Sequence, residues 1–149
     1  MVIHTRQTTS IMIGSEKTTY CENELPDVVH VSRDDIRFSV LKPGEPYFAR
    51  ESTVADRFWE LINKYLNKGC DVIADQTSLS KGARKKLLSH INAPCDKVAI
   101  VMTTPLEICK ERNSQRVGVR NVPENVLESM WEDFTIPTYD EGFDIIIMV

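Results

Sequence analysis

Four short stretches of this chain hold residues whose types and spacing suit chemistry on an anion. In GSEKTT, Gly14 and Ser15 precede a Lys17-Thr18 pair. Lysine can meet a phosphate, a threonine hydroxyl can hold Mg²⁺, and a helix opening there would aim free amides at the same point. In SRDDIR, the adjacent carboxylates Asp34 and Asp35 lie between Arg33 and Arg37. One carboxylate could accept a hydroxyl proton while an arginine orients the acceptor. In VIADQTSL, Asp75 ends an apolar run, where a lone carboxylate is costly unless paired. It could orient an arginine or a metal-bound water. In ERNSQRVGVR, Arg112 and Arg116 stand four apart. On one helix they would share a face, beside a loop able to close over phosphates.

Each stretch also has a purely structural explanation. Ser15 and Ser32 could be helix N-caps, with Asp34 and Asp35 favouring the helix dipole. Asp75 could cap the next turn, and the arginine pair could be a solvated face answering Glu107 and Glu111. The four cysteines form no C-x-x-C pair, and His4, His30 and His90 form no ligand motif.

The elements that must position these residues follow from apolar patterning. Runs at 10–14, 27–32, 71–77, 97–104 and 144–149 read as strands. Their near-continuous Val/Ile content predicts burial on both faces. Helical periodicity fills the intervals. Val54, Phe58, Leu61, Ile62, Tyr65 and Leu66 share one face of a helix that Gly69 stops. A second helix places Ala83, Leu87, Leu88 and Ile91 opposite a basic face of Lys81, Arg84, Lys85 and Lys86. A third has Thr104 as N-cap, Pro105 in its first turn and Glu107 as capping-box partner. A fourth starts at Pro123 and buries Val126, Leu127, Met130, Trp131 and Phe134. Alternating strands and helices predict an α/β fold around a parallel sheet, within one domain over 1–149.

The chain has 149 residues and a net charge of −4, which argues against a protein that coats nucleic acid through a broad basic surface. The polar start MVIHTRQTTS lacks the apolar centre of a signal peptide, and no run reaches membrane-spanning length. A soluble, cytoplasmic protein without a membrane partner is expected.

SRDDIR, VIADQTSL, PLEICKERNSQR, NVPENVLESM and the closing P-x-x-D-E-G-F-D resemble the phage-type polynucleotide 5′-kinases and their small P-loop kinase relatives. The resemblance spans about Ile11 to Val149. It implies a three-layer P-loop NTPase kinase fold with a five-stranded parallel sheet. It also implies transfer of the γ-phosphoryl group of ATP, with Mg²⁺, to the 5′-hydroxyl of a nucleic acid. By the same resemblance Asp34 is the general base. Arg37, with Arg33 beside it, holds the acceptor, and Asp75 is a supporting carboxylate. Arg116, with Arg112, faces the donor phosphates. Gly14, Ser15, Lys17 and Thr18 form the phosphate loop, and Thr18 takes the metal.

That loop departs from the family. The pattern is G-x-x-x-x-G-K-[ST], whereas Lys17 here stands three positions after Gly14 and Glu16 replaces the second glycine. The three missing residues amount to roughly 10 Å of extended chain. Two alternatives therefore accompany the polynucleotide kinase expectation. One is a non-catalytic module binding nucleic-acid ends or a protein partner. The other is a kinase of a small molecule such as a nucleoside, because one fold hosts many acceptors.

Overall fold

The computed structural model describes residues 8–11 and 17–149. Among these residues five strands form one parallel sheet in the order β2-β3-β1-β4-β5. They are β1 (Thr8–Ile11), β2 (Val29–Ser32), β3 (Val72–Asp75), β4 (Val98–Val101) and β5 (Ile145–Met148). Every residue of β3 and β4 is buried, while β2 and β5, at the sheet edges, are partly exposed. The apolar runs of β3 and β4 are thus buried on both faces, whereas the equally apolar Ile145–Ile147 run lies in an edge strand. The first strand is a correction. Its pairing begins at Thr8, opposite Ile73 and Val98, earlier than the expected Ser10. β-branched threonines suit a strand as well as the apolar run does; Met12, Ile13 and Gly14 lie outside the described residues.

Among the described residues six α-helices join the strands: α1 (Lys17–Glu24), α2 (Arg33–Val40), α3 (Glu51–Asn67), α4 (Lys81–Ser89), α5 (Leu106–Ser114) and α6 (Glu124–Glu132). Parallel register puts Val31, Ala74, Ala99 and Ile146 on one face of the sheet. On that face α3 contributes Val54, Phe58 and Ile62, none of them exposed, and α4 contributes Leu87. Further along the same face, Val101 packs against Cys109 of α5 and Phe134. The β1-to-β2 crossover runs across the sheet in the opposite sense to the other three. Right-handed connections therefore set α1 on the other face. Helix α3 ends as expected at Gly69. Its φ of +78° lets the Cys70 amide donate back to the Tyr65 carbonyl over 3.1 Å.

Three helix expectations change. Helix α5 has Pro105, not Thr104, as its N-cap. The ψ of 147° at Pro105 is extended, so the helix opens one residue later and no Glu107 capping box forms. Helix α6 buries Leu127, but Val126 and Trp131 are about two-fifths exposed. An apolar stripe at helical spacing does not guarantee a partner surface.

The third change concerns Arg84, which is wholly buried rather than part of a basic face. Its Nε donates to Glu141 Oε2 over 2.7 Å and its Nη2 to Oε1 over 2.8 Å. The carbonyls of Leu79 and Thr135 each accept from Nη1 over 2.8 Å. One guanidinium thus ties α4 to the segment leading into β5. Glu141 is set by its own capping box with Thr138, before Gly142 at φ +107°. Hydrogen bonds from Arg84 hold the Glu141 carboxyl below its ordinary range, against the opposing effect of burial.

Removing one partner of a buried pair leaves an uncompensated charge. Glu141→Gln is therefore expected to lose about 3–5 kcal/mol in a urea unfolding titration. A Glu141→Gln midpoint equal to wild type would contradict the clamp.

Candidate active site

Parallel register brings three strand ends level, with Ser32 opposite Asp75 and Asp75 opposite Ser10. In an open α/β sheet this carboxyl edge is where ligands bind. Ser32 caps α2 by accepting from the Asp35 amide over 3.2 Å. The capping explanation of SRDD is correct for Ser32, and it leaves the Asp34 carboxylate available for other contacts.

Arg37 is the centre of those contacts. Its side chain is 5% exposed and that of Asp34 is 63% exposed. Nη1 donates to Asp34 Oδ1 over 2.5 Å and to the Tyr47 hydroxyl over 2.8 Å, while Nη2 donates to Glu51 Oε2 over 2.9 Å. The Tyr47 hydroxyl in turn donates to Asp34 Oδ1 over 2.7 Å. Asp34 is thereby fixed from two directions and remains open to solvent.

Glu51, the first residue of α3, also accepts from Arg33 Nη2. Arg33 Nη1 donates to Gln76 Oε1 over 2.9 Å. Gln76 follows Asp75, so the bond joins the start of α2 to the end of β3. Burial pushes the Glu51 carboxyl up, but the hydrogen bonds from Arg37 and Arg33 more than offset it and the net shift is downward. Burial, then the hydrogen bond to Asp34, push the Tyr47 phenol up to about 12. Tyr47 is thus a hydroxyl donor at neutral pH. The Nε atoms of Arg33 and Arg37 are buried without a hydrogen-bond partner. Aromatic faces offset part of that cost: Arg37 lies 4.4 Å from the Tyr47 ring centroid and Arg33 5.9 Å from that of Phe58.

The loop carrying Tyr47 is clasped. Arg50 donates to both oxygens of Glu45, over 2.7 and 2.6 Å, and the Lys42 amide donates to Oε2. The hydrogen bonds from Arg50, then Lys42, lower the Glu45 carboxyl to about 2.

Asp75 is buried and meets His30 Nε2 over 3.1 Å. This pair was not foreseen, because His30 sits mid-strand with no motif around it. Lys17 and Thr18 open α1, whose amino end follows β1. Gly14 and Ser15 lie outside the described residues. Arg112 is in the last turn of α5, but Arg116 is not on that helix, which closes at the C-cap Gln115. The two arginines therefore do not share a helical face. Asn113 explains the early end: its amide donates to the Val122 carbonyl over 2.7 Å and accepts from the Val122 amide over 3.0 Å. The loop 116–123 is thus tied back on α5. Within it, the Arg120 guanidinium sits 5.0 Å from the ring centroid of Phe38, one helical turn beyond Asp34. The loop reaches the acidic side of the site through Arg120, a residue outside the expected set.

Residues 12–137 match the AAA domain family AAA_33. The chain belongs to this P-loop kinase-like family. No curated protein matches it. Among solved structures, it resembles an unliganded sugar kinase from Janibacter sp. HTCC2649. That match has a TM-score of 0.68 at 19% identity, over 97% of this chain and 84% of that one. It also resembles a chain of the Pnkp1/Rnl/Hen1 RNA repair complex, with a TM-score of 0.72 at 19% identity, over 89% of this chain and 45% of that one. Shikimate kinase from Acinetobacter baumannii, in complex with shikimate, matches with a TM-score of 0.54 at 18% identity, over 97% and 83%. These likenesses establish an α/β P-loop kinase-like fold. Among the described residues no helix is long and apolar enough to cross a membrane.

The His30–Asp75 pair gives the site a pH signature. The hydrogen bond to Asp75 raises the His30 pKa above 6.5, against the opposing effect of burial. A raised value in the fold means stabilisation that is complete below the unfolded pKa and lost as pH rises through the folded one. The melting-temperature gap between wild type and His30→Gln should therefore be wider at about pH 5.5 than at about pH 8.5. Equal gaps would show that the pair is not charged in the fold.

Proposed function

We propose that this protein is an ATP-dependent phosphotransferase acting on the 5′-hydroxyl of a nucleic acid, working in the cytoplasm as a single domain. One observation carries the reading: the exposed Asp34 carboxylate is held by a buried Arg37 and by Tyr47. A carboxylate that is open to solvent yet fixed in direction suits abstraction of a proton from an incoming hydroxyl.

In this reading Asp34 accepts the 5′-hydroxyl proton as the oxygen attacks the γ-phosphorus of ATP, whose bond to the β,γ-bridging oxygen breaks to release ADP. Arg37, with both terminal nitrogens engaged, serves chiefly to orient Asp34, and Arg33 links the same helix to β3. Asp75 and His30 support the strand ends between acceptor and donor. Arg116, exposed after α5, meets the negative charge of the donor phosphates, with Arg112 nearby. Gly14, Ser15, Lys17 and Thr18 hold the triphosphate at the positive end of α1. A threonine hydroxyl is a hard oxygen suited to Mg²⁺, which takes few protein ligands and completes its shell with phosphates and water. Bound there, Mg²⁺ supplies charge neutralisation at the β- and γ-phosphates.

Two specific observations keep rivals in view. The clipped loop with Glu16 favours a binding module, and the likeness to sugar and shikimate kinases favours a small-molecule acceptor. The acidic residue within an Arg-rich helix start, and the similarity to a chain of an RNA repair complex, favour the polynucleotide.

Asparagine at 34 keeps the oxygen that accepts from Arg37 and Tyr47 but cannot take a proton. Asp34→Asn should lower transfer by about 10²- to 10⁴-fold and leave acceptor binding largely intact. Normal turnover would remove Asp34 from the chemistry. Calorimetry with Mg-ATP should give micromolar affinity that Lys17→Ala abolishes. Absent binding by wild type would favour the non-catalytic module.

A further inference from the structure

Phe48 is 70% exposed. A solitary exposed apolar side chain needs no function, but the neighbours of this one set it apart. Its ring stands at 88° to Tyr47, with centroids 4.8 Å apart, and the Arg37 guanidinium lies 5.7 Å from its centroid. Tyr47 is the residue that donates to Asp34. An aromatic ring fixed along one side, open on the rest, thus stands one tyrosine away from the proposed base.

We propose that Phe48 is the stacking platform for the base of the acceptor's 5′-terminal nucleotide. This rests on the reading of Asp34 given above. In a nucleotide, one sugar ring separates the 5′-oxygen from the base; here, one phenol ring separates Asp34 from Phe48. The aromatic row continues away from Phe48 through Tyr47 to Phe38, with centroids 6.1 Å apart, and ends at the exposed Arg120 over Phe38. Aromatic rings that take bases beside cations that follow the backbone are the combination by which single strands are held.

The test compares two single-stranded 5′-hydroxyl oligonucleotides, one intact and one lacking only its 5′-terminal base. Wild type should favour the intact acceptor by about tenfold in kcat/KM, the scale of one base–aromatic stack. In Phe48→Ala that ratio should fall to about one, whereas Phe48→Trp should preserve it. A wild-type ratio of one, or an unchanged ratio in Phe48→Ala, overturns the platform. A second readout needs no turnover. The fluorescence of Phe48→Trp, read against wild type without ATP, should be quenched by the intact oligonucleotide and much less by the abasic one. Quenching without phosphoryl transfer to any oligonucleotide would support the platform and refute the kinase reading. Transfer without base preference would do the reverse, and neither quenching nor transfer would refute both.

Discussion

A guanidinium taken out of water needs acceptors, and Arg37 finds them for both terminal nitrogens in three segments. Asp34 comes from its own helix, Tyr47 from the clasped loop and Glu51 from the start of α3. Glu51 is shared with Arg33, whose other arm reaches Gln76 at the end of β3. One buried charge therefore fixes α2, the 41–50 loop, α3 and a strand end relative to each other. Hydrogen bonds from the two arginines hold Glu51 ionised, and the bond that Glu51 accepts helps to hold Arg37 charged despite burial. Such a pair is weak evidence for stability but strong evidence for geometry, because removing either partner leaves the other uncompensated.

The network also divides the labour of the site. Its buried members set direction and its exposed member, Asp34, faces outward. The opposite half of the site depends on different physics. In the proposed function, the start of α1 would attract phosphate through the helix dipole and the residue types Lys17 and Thr18. The proposed acceptor half thus rests on side-chain geometry and the proposed donor half on a helix end. Parallel register levels Ser10, Asp75 and Ser32 along the sheet edge that both would use.

Much of this was legible from the residues. Apolar runs marked β3 and β4 because burial on two faces leaves no room for alternation, but the same signal did not separate them from the edge strand β5. Val54, Phe58 and Ile62 announced α3 at helical spacing. Asp34, Asp75 and Arg37 were visible as charges placed where apolar runs end. What escaped notice was long-range pairing. Tyr47 lies thirteen residues from Asp34 and His30 forty-five from Asp75, and no local pattern reports such contacts. Arg84 was misread because a basic residue among lysines looks solvated, while its partner Glu141 sits fifty-seven residues away. Arg116 was placed on a helix because the Asn113 bonds that end α5 leave no signal in the spacing. Arg120 was overlooked for a similar reason: its aromatic partner Phe38 is on another element.

The central claim is that a fixed, outward-facing carboxylate serves a hydroxyl at the end of a nucleic-acid strand. The most direct measurement is transfer of labelled γ-phosphate from Mg-ATP by the wild-type protein across a panel of acceptors. The panel holds 5′-hydroxyl oligonucleotides, the same strands already 5′-phosphorylated, free nucleosides, gluconate and shikimate. Label on the 5′-hydroxyl strands and on no other acceptor is the result expected here. Label confined to a nucleoside or to a small hydroxy acid would contradict it.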